Sequence, residues 1–267
     1  MLLINNEMFL RLGFFLGIFL SMSAWESAAP RRALQQSKFT RWANNLGLTF
    51  FNSFVLRIVF PAAAVGVAVI AAEKGWGLFN ALTLPGWLGG IVSIILLDLV
   101  IYGQHVAFHK VPLLWRLHRM HHIDLDIDVT TGARFHPVEI FVSMGIKMGV
   151  VVILGAPAWA VVVFEILLNG TSMFNHSNIS MNLTADRWIR RVIVTPDMHR
   201  VHHSVLIRET DSNYGFSLSW WDRLFKTYRD QPYAGHVAMK IGLANYRDPK
   251  WLKFIWMLIV PVSRVER

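Results

Sequence analysis

The 267-residue sequence contains no cysteine, and that absence excludes several kinds of chemistry. Without thiols the chain cannot form disulfides, bind zinc or iron–sulfur clusters through sulfur, or use a cysteine nucleophile. Charged residues are also scarce, at 16% of the sequence against about 25% in typical soluble domains. The sequence has no GxGxxG dinucleotide fingerprint and no haem-binding or ferredoxin-like segment. A redox activity would therefore need electrons from another protein.

Hydrophobic residues make up 54% of the sequence and form four long apolar stretches, at residues 8–25, 50–72, about 84–103 and 138–174. A membrane-spanning helix needs about 20 mainly apolar residues. The last stretch is too long for one crossing, and Gly155-Ala156-Pro157 at its centre predicts a helical hairpin. We therefore predict an all-α fold, an integral membrane helical bundle of about four spans, the last a hairpin, with a histidine-rich helical cap.

The basic residues predict which membrane face carries the cap. The connection between the first two stretches contains Arg31, Arg32, Lys38 and Arg41, whereas only Glu73 and Lys74 follow the second stretch. By the positive-inside rule the basic connection is cytoplasmic, and further crossings return residues 104–137 and 175–251 to that face. The expected location is a bacterial inner membrane or the endoplasmic reticulum. The net charge of +9 suits anionic lipid head groups, and the apolar composition argues against nucleic acid.

The expected division of the chain is 1–83 as membrane anchor spans, 84–235 as the catalytic region and 236–267 as an interfacial tail, all within one structural domain. Ser21-Met22-Ser23-Ala24 resembles a signal-peptide cleavage region, but no basic residue precedes Arg11. We therefore interpret the first stretch as an uncleaved anchor. Residues 251–262 are too short to span and predict an interfacial helix.

All eleven histidines lie between residues 105 and 236. Two are spaced as HxxxH, and two groups of three are spaced as HxxHH, so each motif directs its imidazoles to one helix face. His136 and His176 lie at the two ends of the predicted hairpin, at the same membrane face. The candidate metal ligands are His105, His109, His118, His121, His122, His136, His176, His199, His202 and His203. His236 lies outside any motif and is interpreted as a surface histidine.

An all-imidazole site suits iron, zinc, copper or nickel, and because one ion takes at most about six ligands, this many histidines predict two ions. Asp98 shares a helix face with His105 and His109, so it either orients one of them or hydrogen-bonds a neighbouring helix. Glu165 and Asn169 lie on the His176 face and have the same two interpretations. The acids Asp124, Asp126 and Asp128 are interpreted as a solvated loop.

The three histidine motifs on a membrane chain resemble the fatty acid hydroxylase/sterol desaturase superfamily. The resemblance covers roughly residues 90–230 and includes residues beside the motifs. These are Leu114-Trp115-Arg116-Leu117 before the first HxxHH, Thr195-Pro196-Asp197-Met198 before the second, Asn213-Tyr214-Gly215, and Trp221-Asp222-Arg223-Leu224-Phe225. Lys226-Thr227 stands where many relatives have Gly-Thr.

The resemblance implies a membrane diiron oxygenase that hydroxylates or desaturates an unactivated C–H bond of a lipid or sterol-like substrate. It implies two Fe ions, which zinc could replace in purified protein, and no catalytic residue beyond the metal ligands. It also implies a separate electron donor, a reductase with a ferredoxin or cytochrome b5-like carrier. The alternatives are a histidine-rich membrane metal transporter and a zinc-binding membrane protein. The particular lipid and the oligomeric state stay open.

Overall fold

The structure is a computed structural model that describes residues 6–82 and 84–264. The outer ends of the predicted anchor and tail regions, residues 1–5, 83 and 265–267, lie outside the described residues. The α-helices are α1 Glu7–Ala28, α2 Lys38–Val59, α3 Ala63–Glu73, α4 Leu78–Ala81, α5 Gly86–Lys110, α6 Pro112–His122, α7 Pro137–Leu154, α8 Ala158–His176, α9 Leu183–Ile189, α10 Pro196–His202, α11 Ile207–Thr210, α12 Trp220–Leu224, α13 Gly235–Ala238 and α14 Phe254–Ile259. Short 3₁₀ helices cover Thr131–Ala133, Pro249–Leu252 and Val260–Val262.

Five helical segments of the described chain are long and apolar enough to cross a membrane. They are Glu7–Ala28, Lys38–Ala81, Gly86–Lys110, Pro137–Leu154 and Ala158–His176. Among the described residues the regular secondary structure is helical, with isolated β-bridges and no strand. The predicted all-α membrane bundle is therefore confirmed, and the protein is a membrane protein.

The predicted hairpin between α7 and α8 is also confirmed. Helix α7 ends at Gly155, which has φ 66° and ψ 42°, a left-handed conformation that glycine adopts without steric cost. Pro157 then precedes the first residue of α8 and cannot continue α7. Gly77, in the connection before α4, lies against this turn, because a Cβ atom there would be 2.1 Å from the Gly155 nitrogen.

The second apolar stretch differs from the prediction of one helix over 50–72. Helix α2 begins earlier, at Lys38, and ends at Val59, and α3 starts at Ala63 after Pro61. Proline lacks the backbone N–H that a continuous helix requires, so the helix breaks there. The first half of α2 buries polar residues against the cap, where Asn45 donates to Thr130 Oγ1 at 2.9 Å and Asn52 to the Phe135 carbonyl at 2.8 Å.

Helices α1 and α8 run parallel and fix the direction of the bundle. Arg11 Nη1 lies 3.1 Å from Glu165 Oε2, and Glu26 at the other end of α1 accepts from the Asn178 N–H at 2.6 Å. The connection after α1 joins the same end, because the N–H of Gln35 donates to Asp126 at 2.9 Å. The basic connection and the histidine-bearing loops are thus gathered at one end of the bundle, opposite the α7–α8 turn.

The molecule has two layers, the membrane bundle and the cap, and each layer has an apolar cluster at its centre. One lies in the bundle and contains Leu97, Ile101 and Phe164, while the other lies in the cap and contains Trp115 and Met120. The C-terminal helix α14 and the 3₁₀ turn after it belong to the second cluster through Met257 and Val260. Arg119 on α6 donates to the Val260 carbonyl at 2.6 Å. The tail is therefore packed on the cap, over the helix that carries the first HxxHH motif.

Candidate metal centre

Local breaks in the helices bring the histidine motifs together. Helix α5 ends at Lys110, and Val111 after it is extended because Pro112 follows, so the chain turns directly into α6. Helix α10 begins with Pro196 in its first position, and the Thr195 side chain accepts from the Met198 N–H at 3.4 Å. Both short helices therefore have fixed starting points, and both present their HxxHH faces to the end of α5.

Nine of the ten predicted ligands form two compact groups of buried imidazoles. In each group one nitrogen from every residue lies within 4.8 Å of all the others. The groups are His105, His109, His118, His122 and His202, and His121, His176, His199 and His203. Each HxxHH motif therefore contributes to both groups. The groups are adjacent, since the rings of His122 and His203 have centroids 4.6 Å apart.

The hydrogen bonds of the first group determine which ring nitrogens point inward. His105 Nδ1 lies 2.7 Å from the Tyr214 carbonyl, and His118 Nδ1 lies 2.6 Å from Glu139 Oε1. Both partners only accept, so both Nδ1 atoms carry hydrogen, and in the neutral rings each Nε2 has a lone pair. These two Nε2 atoms are 3.1 Å apart. Two facing lone pairs at that distance fit a shared cation and not a hydrogen bond.

The second group has the same arrangement. His121 Nδ1 faces the Arg134 carbonyl at 3.0 Å, and His176 Nδ1 faces the Ser172 carbonyl at 2.7 Å. The Nε2 atom of His176 is then 3.1 Å from that of His121 and 3.0 Å from that of His199. Neighbouring ligands at right angles around an ion with bonds of about 2.1 Å lie roughly 3.0 Å apart. The spacing fits a transition metal.

Unsatisfied nitrogens give a further test of the fit. Within the described residues, the Nε2 atoms of His122, His202 and His203 are buried and have no hydrogen-bond partner. Burial lowers the pKa of His122 and His203 well below the usual range and that of His202 to about 3. The neutral imidazole is the form that binds a metal. The residues present therefore fit a metal centre with two neighbouring sites.

His136 is the one predicted ligand that the structure does not place in either group. It precedes α7, and its Nδ1 accepts from the Val138 N–H at 3.2 Å, which makes it the N-cap of that helix. Its Nε2 lies 3.3 Å from the Leu258 carbonyl in the C-terminal tail. Both ring nitrogens therefore have partners outside the two histidine groups.

The three polar residues predicted to support the ligands have other contacts. Asp98 Oδ2 accepts from Trp221 Nε1 at 2.9 Å and from the Leu218 N–H at 3.1 Å. Glu165 pairs with Lys147 at 2.6 Å, and Asn169 donates to the Glu165 carbonyl at 2.8 Å. For Asp98 and Glu165 these contacts match the alternative of polar contacts with neighbouring segments, whereas the Asn169 hydrogen bond stays within α8.

The sequence did not predict which residues accept the hydrogen bonds that orient the histidine rings. The acids are Glu139 on α7 and Asp211, whose Oδ1 lies 3.5 Å from His109 Nδ1. The other acceptors are the backbone carbonyls of Arg134, Ser172, Ser212 and Tyr214. Glu139 follows the His136-Pro137 pair by two residues and has no spacing relation to His118, so no local pattern indicated it. Backbone carbonyls leave no signal in the sequence.

Two other interpretations were wrong. The acids after α6 are buried, not solvated, because Asp124 and Asp128 pair with the buried Arg41 and Asp126 accepts backbone N–H groups from the basic connection. His236 is also buried, 3.6 Å from Asp197, and burial lowers its pKa to about 4. In both cases a charged partner distant in sequence allows a polar side chain to leave water.

The bundle-facing side of the histidines is apolar. The Phe135 ring stacks on His121 with centroids 4.6 Å apart and a 9° interplanar angle. Phe216 lies 5.1 Å from His105 and 6.3 Å from Phe135. Both phenylalanines pack with the apolar cluster of the bundle. These two rings therefore lie between the histidines and the apolar interior of the bundle.

Phe216 belongs to a non-helical segment, residues 214–219, that enters the bundle. Its Leu218 N–H binds Asp98, which precedes His105 by seven residues on α5, or about 10 Å along the helix. On the other side, Asn175 of α8 donates to the Phe216 carbonyl at 2.8 Å. Irregular backbone is tolerated at membrane depth only where such partners satisfy its polar groups. The segment therefore closes the side of the site that faces the bundle.

Comparison with known proteins gives consistent matches. The family model for the fatty acid hydroxylase domain matches residues 90–227. An ornithine lipid hydroxylase OlsE of Rhizobium tropici is 26% identical over 53% of this chain and 42% of its own length. An alkylglycerol monooxygenase of Xenopus tropicalis is 28% identical over 69% of this chain and 41% of its own. A fatty acid hydroxylase vlmA of Lecanicillium is 30% identical over 69% of this chain and 52% of its own. The chain thus spans about half or less of each relative, and no solved structure matches.

Proposed function

Because the chain belongs to the fatty acid hydroxylase family, we propose that it is a membrane enzyme that hydroxylates a lipid with O2, using two iron ions. The observation that carries the proposal is the pair of adjacent imidazole groups whose Nε2 lone pairs converge. Hydroxylation is favoured over desaturation because the relatives are named as hydroxylases and monooxygenases.

In this proposal the five-histidine group holds one ion and the four-histidine group the other. Iron bound there would supply the dioxygen chemistry needed to oxidise an unactivated C–H bond. Glu139 and the backbone carbonyls fix the ring orientations by accepting the Nδ1 hydrogens. Such partners increase ligand basicity and hold the rings in place before a metal binds.

The two phenylalanines determine how substrate reaches the site. Phe135 and Phe216 separate the histidines from the apolar bundle, so a hydrocarbon chain can approach them from the bilayer without crossing water. Their rings also keep bulk water from the bundle side of the site. We propose that the oxidised carbon lies in the alkyl part of the lipid, next to these rings.

The electron donor is proposed to dock on the cap, at the cytoplasmic face. The support is that the basic connection after α1 lies at the same end as the histidines, which the positive-inside rule assigns to the cytoplasm. A reductase with a ferredoxin or cytochrome b5-like carrier would then reach the cap from solution.

A metal transporter is not favoured. Transport needs ionisable groups available along a path through the bilayer. In the described spans Glu165 instead pairs with Lys147 at 2.6 Å and with Arg11 at 3.1 Å, away from the histidines. A zinc-binding membrane protein would use the same histidines, so metal analysis has to separate it from the oxygenase.

The test compares His202→Ala with the control His236→Gln, which changes an imidazole outside both groups. Wild type and control should contain two irons per chain, consume O2 with a supplied reductase and carrier, and add one oxygen atom to a membrane lipid in lipid mass spectrometry. His202→Ala should lose iron and both activities. Zinc alone with no O2 consumption in wild type, or full iron and turnover in His202→Ala, would contradict the proposal.

A further inference from the structure

A cleft with a mostly apolar wall lies where α1 meets the cap. Its volume is about 310 Å³, and Pro30, Ala33 and Leu34 line it. The polar groups in the wall belong to Glu26, Arg32, Lys38, Asp128 and Asn178. Glu26 is two residues before the end of the span Glu7–Ala28, and Lys38 is the first residue of the next span. The cleft is therefore at the depth of the lipid head groups, on the same side of the bundle as the histidines.

Glu26 has one oxygen engaged and one without a partner. Its Oε1 accepts from the Val129 N–H at 2.8 Å and from the Asn178 N–H at 2.6 Å. Within the described part of the chain, Oε2 has no hydrogen-bond donor, although only 5% of the residue is exposed. A buried carboxylate oxygen without a donor is rare in folded proteins. A ligand that donates a hydrogen bond would satisfy it.

The other charged side chains of the cleft differ in how many of their donors or acceptors already have partners. Asp128 is satisfied by Arg41 and by Thr130. Arg32 donates from Nη1 to the His236 carbonyl at 3.0 Å, and Lys38 donates to Ser27 at 3.2 Å. A guanidinium has five N–H donors and an ammonium three, so both cations retain donors for an anion. The cleft thus presents two cations and one carboxylate acceptor.

We propose that this cleft binds a lipid head group that carries both an anionic group and an ammonium with N–H hydrogens. The anion would contact Arg32 and Lys38, and the ammonium would donate to Glu26 Oε2. An anionic head group without an ammonium, such as that of phosphatidylglycerol, can offer this carboxylate oxygen only a neutral hydroxyl, and a quaternary ammonium has no hydrogen to donate. That the bound lipid is also the substrate rests on the proposed function, and it is supported by Asn178, which lines the cleft two residues after His176.

The test measures which lipids the protein retains. The full chain with its metals is placed in phosphatidylcholine nanodiscs containing equal small amounts of phosphatidylethanolamine and phosphatidylglycerol, and bound lipids are counted by native mass spectrometry. Phosphatidylethanolamine should be enriched about tenfold over both other lipids, the usual scale of one charge-assisted hydrogen bond. Glu26→Gln keeps an Oε1 acceptor and should reduce the enrichment over phosphatidylcholine to within about twofold. Lys38→Ala should weaken retention of phosphatidylethanolamine and phosphatidylglycerol alike.

Matched controls lie at the opposite end of the bundle, where Glu73 and Lys74 are exposed. Glu73→Gln and Lys74→Ala should retain wild-type lipid selectivity. Soluble phosphoethanolamine at millimolar concentration should leave the bound lipid in place, and its displacement of the lipid would show that the cleft selects a free metabolite. Equal retention of the three lipids by wild type, an unchanged preference in Glu26→Gln, or unchanged retention of both lipids in Lys38→Ala would overturn the inference. His202→Ala should lose iron but keep the lipid preference, so this test and that of the proposed function fail separately.

Discussion

At the scale of single residues, the acceptor at Nδ1 decides what each histidine can do. For His105, His121, His176 and His202 that acceptor is a backbone carbonyl, whereas for His118 it is the carboxylate of Glu139. A carbonyl orients a ring without adding a full charge. Glu139 contributes the one carboxylate among these five contacts, and it would make the His118 ring a stronger electron donor toward a bound cation.

Glu139→Gln tests that role. Glutamine can still accept from His118 Nδ1, so the fold should persist with little change in melting temperature, but the negative charge is lost. We expect metal affinity or turnover to fall by about tenfold or more, as for other groups that orient a metal ligand. Iron titration and turnover on the same preparation measure the effect, with Glu73→Gln as the exposed control. Unchanged iron affinity would show that Glu139 only positions the ring.

His136 and His176 occupy the two ends of the hairpin, and their contacts predict opposite outcomes for the same substitution. Asparagine is a good N-cap, so His136→Asn should keep α7 capped and the iron content unchanged. His176→Asn removes a nitrogen from the four-histidine group and should lower the iron content. Iron stoichiometry of the two purified variants checks this. Loss of iron in His136→Asn would show that His136 is a metal ligand after all.

Features of the site that depend on side-chain spacing could be predicted from the sequence, whereas features that depend on backbone atoms could not. The i, i+3, i+4 spacings predicted shared faces for the eight motif histidines, and all eight lie in the two groups, because a helix converts spacing directly into direction. His136 and His176 were added on their positions at the hairpin ends alone, and of these two only His176 lies in a group. The acceptors Tyr214 and Arg134 act through backbone atoms, which any residue could provide, so only the three-dimensional arrangement identifies them.

At the scale of helices, the sequence predicted the turn made by glycine and proline correctly. It did not predict which polar helix faces are buried. Gly155-Ala156-Pro157 predicted the hairpin turn, since glycine and proline act locally. The start of α2 was missed because Arg41 and Asn45 resemble a solvated connection, and the burial of Asn52 farther along the helix was not predicted either. Their partners Asp124, Thr130 and Phe135 are more than eighty residues away. Pairing over such distances leaves no local pattern.

Asp98 links two elements, helix α5 and the non-helical segment 214–219 that leads into α12. Asp98→Asn keeps the size of the side chain but weakens the hydrogen bonds from Trp221 and Leu218. We expect a loss of about 1–3 kcal/mol in stability, the usual cost of a disturbed buried polar contact. Iron content should stay full, because His105 is held by Tyr214. Melting temperature and iron content are measured on one sample, and iron loss at an unchanged melting temperature would reverse this assignment.

At the scale of the whole molecule, a single arrangement accounts for the observations. Among the described residues, five helical segments are long and apolar enough to cross a membrane, and they leave the α7–α8 turn at one end of the bundle and the histidine-bearing loops at the other. Phe135 and Phe216 lie between the histidines and the apolar cluster of the bundle, and the cleft beside Glu26 lies at the cap end of α1. A lipid could therefore bind with its head group in the cleft and its chain directed toward the histidines while remaining in the membrane.

The orientation of the cap can be tested directly because the chain contains no cysteine. Tyr233 lies on the cap and is 93% exposed, and Lys74 is exposed at the opposite end. In intact spheroplasts of an expressing bacterium, a membrane-impermeant maleimide should label Lys74→Cys and leave Tyr233→Cys unlabelled until the membrane is permeabilised. Iron content and lipid turnover should match wild type in both variants, which confirms that each is folded. The reverse labelling pattern would place the cap outside the cell, and labelling of both sites from the same side would contradict an odd number of crossings between these two ends.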